Sequence, residues 1–310
     1  MRIAIIDCGT NTFNLLIAEK NGDQQKFIFE DKIPVKIGKG GIENKTIVAD
    51  AYQRAIDAMK SYSFMVKKYE VDKIIATSTS AFRSTDNGPE LRDEILRETG
   101  IYIEIISGDK EAHYIYEGVT WAYPPIENNT YLIMDIGGGS TEFILYDSHK
   151  IYFRESYLLG ASRLLEKFKP TDPLTKIDIL SFETYFEEIL DNTLIDVCRK
   201  HQPQQLIGSS GFFDTLRKIC FYEFNWNTED ALTATNIPIP LNEFNHWYLK
   251  MLPMDLEQRM KIEGMTPFRA EIMGVSMILV NYIIQQSGVK NIVNTTYALK
   301  EGILREYISL

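Results

Sequence analysis

Apolar residues in the first half of this chain come in short runs that stop at glycine or a hydroxyl residue. Between the runs lie longer stretches whose apolar positions recur three and four residues apart. The runs read as strands and the stretches as amphipathic helices. Ile3-Ala4-Ile5-Ile6 ends in Asp7-Cys8-Gly9-Thr10-Asn11-Thr12, and apolar character returns at Phe13-Asn14-Leu15-Leu16-Ile17, which predicts a hairpin. Residues 49–69 are predicted helical, with Ala55, Met59, Tyr62 and Val66 on one face. A short strand over 72–77, a helix over 88–99 with Pro89 in its first turn, a strand over 101–106 and a helix over 109–121 follow. Such alternation implies an α/β layer architecture. Pro124-Pro125 and Asn128-Asn129 then mark a linker.

After the linker the pattern starts again. A hairpin over 131–153 leads to helices over 159–168 and 176–200. A strand over 205–208 enters Ser209-Ser210-Gly211 and a helix that runs to Cys220. Residues 222–240 read as an irregular, lid-like stretch. A long, mostly apolar helix over 268–286 belongs at the centre of the second core. A strand over 289–295 and a helix over 299–307 close the chain.

The restart is a repeat at the level of residues. Asp7 aligns with Asp135, Gly9 with Gly137, Thr12 with Ser140 and Asn14 with Glu142. Gly9, Gly137, Gly138 and Gly139 permit positive φ and let the backbone come close to a ligand. Successive N–H groups in such a turn hold an anion, and Thr10, Thr12, Ser140 and Thr141 add hydroxyl donors. Asp7 and Asp135 stand where strands end. A carboxylate there repels phosphate unless a divalent cation lies between, and Mg²⁺, with its oxygen ligands and retained waters, suits that place. A hairpin brings Glu142 near Asp135. Two ordinary glycine-rich hairpins are the plain alternative, which the double occurrence disfavours.

Three more segments carry candidate chemistry. Thr77-Ser78-Thr79-Ser80-Ala81-Phe82-Arg83 follows a buried strand and combines hydroxyls with an arginine suited to phosphate oxygens. Ser107-Gly108-Asp109-Lys110-Glu111 opens a helix. A carboxylate there can deprotonate an attacking water, and by spacing alone Asp109 and Glu111 are equal candidates. Ile207-Gly208-Ser209-Ser210-Gly211 is a strand-to-helix turn that either touches phosphate or caps the helix. His113, His149, His201 and His246 show no ligand spacing, and neither a P-loop nor a Rossmann glycine motif occurs.

Composition narrows the class. A chain of 310 residues with 45% hydrophobic and 25% charged residues suggests two ordinary globular domains. A net charge of −10 argues against a nucleic-acid partner held by a basic surface. Cys8, Cys198 and Cys220 form no disulfide or metal pattern, and a reducing cytoplasm fits best. No basic region followed by a long apolar segment opens the chain. The most apolar helix candidate, residues 272–284, reads as too short for a membrane span. The Asn-x-Thr triplets at Asn44, Asn128 and Asn294 mean little without secretion.

Together, Asp7 through Thr12, Ala76-Thr77-Ser78 through Arg83, Ile106-Ser107-Gly108 through Ala112, and Asp135 through Glu142 resemble the exopolyphosphatase and guanosine pentaphosphate phosphohydrolase family. Leu159-Gly160-Ala161, Phe268-Arg269-Ala270-Glu271 and Leu299-Lys300-Glu301-Gly302 add weaker support. The resemblance spans nearly the whole chain. It implies an α/β fold of two ribonuclease-H-like domains of the actin/hexokinase/Hsp70 ATPase superfamily around a central cleft. The domains would be 1–124 and 125–310, with a C-terminal helix over 298–310 packing back on the first.

The implied activity is hydrolysis of terminal phosphoanhydride bonds of polyphosphate, or of guanosine pentaphosphate, with Mg²⁺ or Mn²⁺. The resemblance resolves the tie in favour of Glu111, with Arg83 as phosphate-contacting partner. It makes Asp135 and Glu142, with Asp7, the metal-associated acids. Gly9, Thr10, Asn11, Thr12, Ser78, Gly137, Gly138, Gly139, Ser140, Thr141, Gly208 and Ser209 are the expected substrate contacts. A homodimer is open, as in family relatives, and a membrane partner is not expected. There are departures. Lys36 stands where relatives often carry arginine, and Phe212-Phe213 stand where small residues are usual, which would narrow a nucleoside pocket. The chain resembles the short form without C-terminal helical domains, so long-chain preference is not implied. An actin-like kinase and a non-catalytic phosphate or nucleotide sensor are the remaining alternatives.

Overall fold

A computed structural model describes residues 1–22, 24–226 and 229–308. The strands form two mixed sheets. In the first, β1 (Arg2–Cys8) lies between antiparallel β2 (Thr12–Asn21) and parallel β4 (Lys73–Ser78), with β3 (Gln24–Pro34) and β5 (Ile103–Ile105) at the edges. In the second, β6 (Tyr131–Ile136) lies between antiparallel β7 (Thr141–Tyr146) and parallel β9 (Gln205–Ser209), flanked by β8 (Ile151–Tyr157) and parallel β11 (Asn291–Thr295). One further strand, β10 (Asn236–Ile239), runs antiparallel along β11. The orders β3-β2-β1-β4-β5 and β8-β7-β6-β9-β11 are the same topology used twice.

Alternation along the central strands builds three apolar clusters. Ala4, Ile6 and Cys8 face an outer core under α1 (Ala49–Lys68) and α3 (Gly88–Thr99). Leu132, Met134 and Ile136 face a larger core around α11 (Pro267–Ser287), which also takes in α8 (Ser210–Glu223) and α9 (Leu241–Met251). The opposite faces, Ile3 and Ile5 of β1 and Tyr131 and Ile133 of β6, share one cluster with α4 (Gly108–Ala122) and α12 (Leu299–Ile308). The two sheets are therefore joined by a packed helix pair, and the ends of β1 and β6 open on a common cleft. Of the expected helix over 298–310, residues 309–310 lie outside the described residues; the rest packs against α4 and β1.

Several expectations need correction. The hairpin over 131–153 is a three-strand meander. Residues 222–240 hold the end of α8, a 3₁₀ turn at Glu229–Leu232 and β10, with 227–228 outside the described residues. The expected helix over 176–200 is α6 (Lys176–Leu190), a π turn over Asp191–Ile195 and α7 (Asp196–His201). The apolar helix is not short. It has 21 residues, long enough to cross a membrane, but 72% of its most apolar window is buried within the protein. It is a core helix, started by Thr266 and Pro267 and stopped by Gly288 at φ 72°.

Candidate active site

Each half ends its first strand at the same place. Asp7 pairs with Asn14 across β1–β2, and Asp135 pairs with Glu142 across β6–β7. Gly9 N–H closes one loop on Thr12 O at 3.1 Å, and Gly137 N–H closes the other on Ser140 O at 2.9 Å. The loops then meet. A Cβ on Gly138 would lie 2.3 Å from Asn11 Nδ2, and one on Gly139 would lie 2.7 Å from Thr10 Oγ1. None of Gly9, Gly137, Gly138 and Gly139 has positive φ. Of the two reasons for these glycines, left-handed backbone is not used; close approach, here to the facing loop at Gly138 and Gly139, excludes a side chain.

Between the loops lies a cavity of about 170 Å³ lined by Asp7, Glu111, Asp135 and Glu142 together with Gly9–Thr12 and Gly137–Ser140. Glu111 enters it from the first turn of α4, whose N-cap Ser107 accepts Lys110 N–H. It is 6% exposed. Arg83, from the short helix α2 (Ser80–Ser84), donates to Glu111 Oε2 at 3.1 Å and to Ile106 O at 2.8 Å. Asp109 points elsewhere, paired with Arg154 at 2.8 Å. Geometry therefore separates two acids that spacing could not.

The four carboxyls are electrostatically uncomfortable. Burial, and then the charge of Glu142, hold Glu111 well above the usual carboxylate range. Burial and then Asp135 push Glu142 up. Burial pushes both Asp7 and Asp135 up to about 6. Each of three acids has one oxygen satisfied: Asp7 by Asn14 Nδ2 at 2.9 Å, Asp135 by Ser209 Oγ at 2.5 Å and Glu142 by Ser156 Oγ at 2.6 Å. Asp7 Oδ1 is buried without a partner. Among the described residues no three His, Cys, Asp or Glu side chains converge as a metal cage. The donor set fits a largely hydrated Mg²⁺, which binds through one or two carboxylates plus phosphate oxygens.

Not all expected contacts reach the cavity. Thr141 Oγ1 donates to Leu159 O at 2.9 Å and is fully buried. Ser209 is spent on Asp135. Gly208 is a packing glycine, since a Cβ would lie 2.1 Å from the Phe213 ring. Ser78 is buried behind the wall, where Thr79 lines the cavity instead. Phe212 and Phe213 face the core of the second sheet, so they narrow no ligand pocket. Lys36 pairs with Glu271 at 3.3 Å and stands over the Phe268 ring.

Sequence reading also missed residues. Lys32, Asp214, Arg269, Thr296 and Lys300 line the same cavity. Lys32 is brought there by β3, where it pairs with Asn14. Arg269 crosses Gly211 so closely that a Cβ there would sit 1.6 Å from its Nη2. Arg269 and Lys300 fall in segments already noted; Lys32 and Asp214 carry no local signal.

A family model described as Ppx/GppA phosphatase family matches residues 16–309. The crystal structure of an exopolyphosphatase from Cytophaga hutchinsonii is 35% identical, covering 100% of this chain and 98% of that one, with a TM-score of 0.95. A Ppx/GppA family member from Aquifex aeolicus is 22% identical over 100% of this chain and 98% of that one, with a TM-score of 0.79, a likeness of fold. A bifunctional 3-dehydroquinate synthase/phosphatase from Fusobacterium nucleatum is 37% identical over 172 residues, 53% of this chain. The match spans only 26% of that relative's length.

Proposed function

The chain belongs to the Ppx/GppA phosphatase family and is a hydrolase; from that premise we propose that it releases the terminal phosphate of inorganic polyphosphate with Mg²⁺, or Mn²⁺ in its place. The observation that carries this reading is buried Glu111, held by the half-buried Arg83 beside it, on one cavity with two like amide-rich loops.

The terminal phosphoryl group sits against the loop of Gly137–Ser140, and Gly9–Thr12 faces it from the other half. Lys32, Arg269 and Lys300 hold charge from the remaining phosphates. Arg83, whose Nη1 is engaged by Glu111 and Ile106, donates from its remaining N–H groups to oxygens of the transferring group. Glu111, whose carboxyl titrates above the ordinary range, accepts the proton of the attacking water. The water oxygen bonds to phosphorus, the bridging P–O bond breaks, and the shortened chain departs with that oxygen. Asp135 and Glu142, with Asp7 close by, would hold Mg²⁺, which would supply charge neutralisation at the phosphate oxygens.

Replacing Glu111→Gln keeps the shape and removes the base. Phosphate release is expected to fall by about 10²–10⁴ while polyphosphate still binds. Near wild-type turnover in this variant rejects the assignment of Glu111. Faster release from guanosine pentaphosphate than from polyphosphate at equal concentration moves the substrate assignment to the nucleotide.

A further inference from the structure

Every carbonyl of the glycine turn in the second loop is held from behind. Gly137 O accepts Ala161 N–H at 3.0 Å, and Gly138 O accepts Ser162 and Arg163 N–H at 3.0 Å each. Gly139 O accepts the side chain of Arg163, Nε–H, at 2.9 Å. The three amides belong to the first turn of α5 (Ala161–Phe168). A trans peptide sets its C=O and N–H in opposite directions. With the carbonyls of Gly137, Gly138 and Gly139 facing α5, the N–H groups of Gly138, Gly139 and Ser140 face the other way. These residues wall the cavity.

The first loop is built on the same plan. Thr10 O accepts Ile37 N–H at 2.8 Å, and Asn11 O accepts Val35 and Lys36 N–H at 2.9 Å each. In both halves the segment after the third strand of the meander holds the loop carbonyls. One contact breaks the parallel: in the second loop the last carbonyl is held by a side chain instead of the backbone. That side chain has two more ends. Arg163 Nη1 pairs with Glu43 at 3.2 Å, and Nη2 donates to Ser84 Oγ at 2.9 Å, next to Arg83. Arg163 is 8% exposed, and both outer partners belong to the first half of the chain.

We infer that Arg163 is a positioning residue whose guanidinium keeps the Gly139–Ser140 peptide with its N–H toward the substrate and ties that orientation to closure of the cleft. When the halves part, Glu43 and Ser84 leave, and the guanidinium is free to turn off the Gly139 carbonyl. A released peptide can then rotate and present carbonyl lone pairs to phosphate. Closure thus completes the anion-binding loop and positions the residue next to Arg83 through one planar fork. Ser162 Oγ, which donates to Asn11 Oδ1 at 2.9 Å, and Gly40 N–H, which donates to Glu166, bridge the same two halves beside it. This inference rests on the phosphohydrolase reading, in which the loop amides bind the transferring group.

The test is steady-state phosphate release from polyphosphate by the full chain, with a thermal melt of each variant. Arg163→Ala is expected to lower kcat by about 100-fold, the scale of losing one preorganised donor. Arg163→Lys, which keeps the charge and loses the fork, is expected to stay near the alanine variant. Glu43→Gln leaves Nε on Gly139 and is expected to raise KM a few-fold with kcat near wild type, since it weakens closure alone. Wild-type kinetics in Arg163→Ala, or full rescue by Arg163→Lys, overturns the inference. If Arg163→Ala fails to fold, Glu43→Gln decides: unchanged kinetics there overturns it equally. If the wild-type protein releases no phosphate from any polyphosphate or from guanosine pentaphosphate, the phosphohydrolase reading fails first and on separate grounds.

Discussion

Gly211 shows how one missing carbon sets a side chain in the cavity. The guanidinium of Arg269 occupies the space where a Cβ would project, 1.6 Å from that position. The obstacle is the end of a flexible side chain, so Gly211→Ala displaces Arg269 and leaves the fold standing. If Arg269 binds phosphate as a charge-assisted donor worth about 1.5–3 kcal/mol, KM for polyphosphate rises roughly tenfold or more in this variant, with little change in melting temperature. An unchanged KM removes Arg269 from the binding set. This residue also marks the limit of the sequence. Asp7, Asp135 and the glycines after them were legible because the same order of residue types occurs twice. Spacing alone left Glu111 and Asp109 tied and only the family resemblance chose Glu111; the helix puts Glu111 in the cavity and Asp109 against Arg154. Lys32 and Asp214 were illegible, because Lys32 owes its place to a strand register and Asp214, which accepts from Asn294 Nδ2 at 3.2 Å, to the packing of α8 on β11. The hydroxyls erred the other way: Thr141 and Ser209 have the right chemistry for phosphate but are consumed by Leu159 and Asp135.

At the scale of elements, the helix that carries Glu111 is positioned by a crossing of two glycines. A Cβ on Gly118 of α4 would lie 2.0 Å from Ala298 O, and one on Gly302 of α12 would lie 1.7 Å from Tyr114 O. These obstacles are backbone and cannot swing aside. Arg305 of α12 clasps the same crossing, donating to Glu117 O at 2.9 Å and Thr120 Oγ1 at 3.0 Å. Gly302→Ala is therefore expected to cost about 1–3 kcal/mol as an overpacked core does, visible as a melting temperature several degrees lower. Activity should fall with it, because pushing α12 off α4 moves Glu111 relative to Arg83. A variant as stable and active as wild type would show that the helices separate freely. The periods of α1 and α4, and the long apolar run of α11, made those helices legible. β3 was not, since its one apolar run, Phe27-Ile28-Phe29, is short and set among polar, exposed residues. It is recognised as a strand only by pairing with β2.

Over the whole molecule, the cleft confines four acids of a chain already at −10, and that burden depends on pH in a defined direction. Asp7 rises from 3.8 to about 6 on folding because burial disfavours its charge. Between those values the folded protein holds a proton that the unfolded chain has lost, so stability falls as pH rises through the window and levels off above it. Asp135 behaves likewise, and Glu111 and Glu142 extend the effect to higher pH. A divalent cation among these groups interacts with their ionised forms, so its stabilising effect should be small near pH 4 and grow across the same window. Asp7→Asn isolates one group: it keeps the hydrogen bond from Asn14 and removes the charge. In EDTA its stability should gain on wild type between about pH 4 and pH 7 by on the order of 1 kcal/mol or more, seen as a relative rise in melting temperature, and excess Mg²⁺ should shrink that gain by stabilising the wild type preferentially. Calorimetry of both proteins at the two pH values, with EDTA and with Mg²⁺, reads the difference between them under each of the four conditions. A difference between the proteins that is constant with pH would mean that Asp7 keeps its charge at no cost. A Mg²⁺ shift equal at both pH values would mean that the cation binds elsewhere than among these acids. The two halves of the molecule would then be held around the cavity by α4, α12 and the side-chain bridges of Arg163, Ser162, Glu166 and Lys36, with no help from charge neutralisation at its centre.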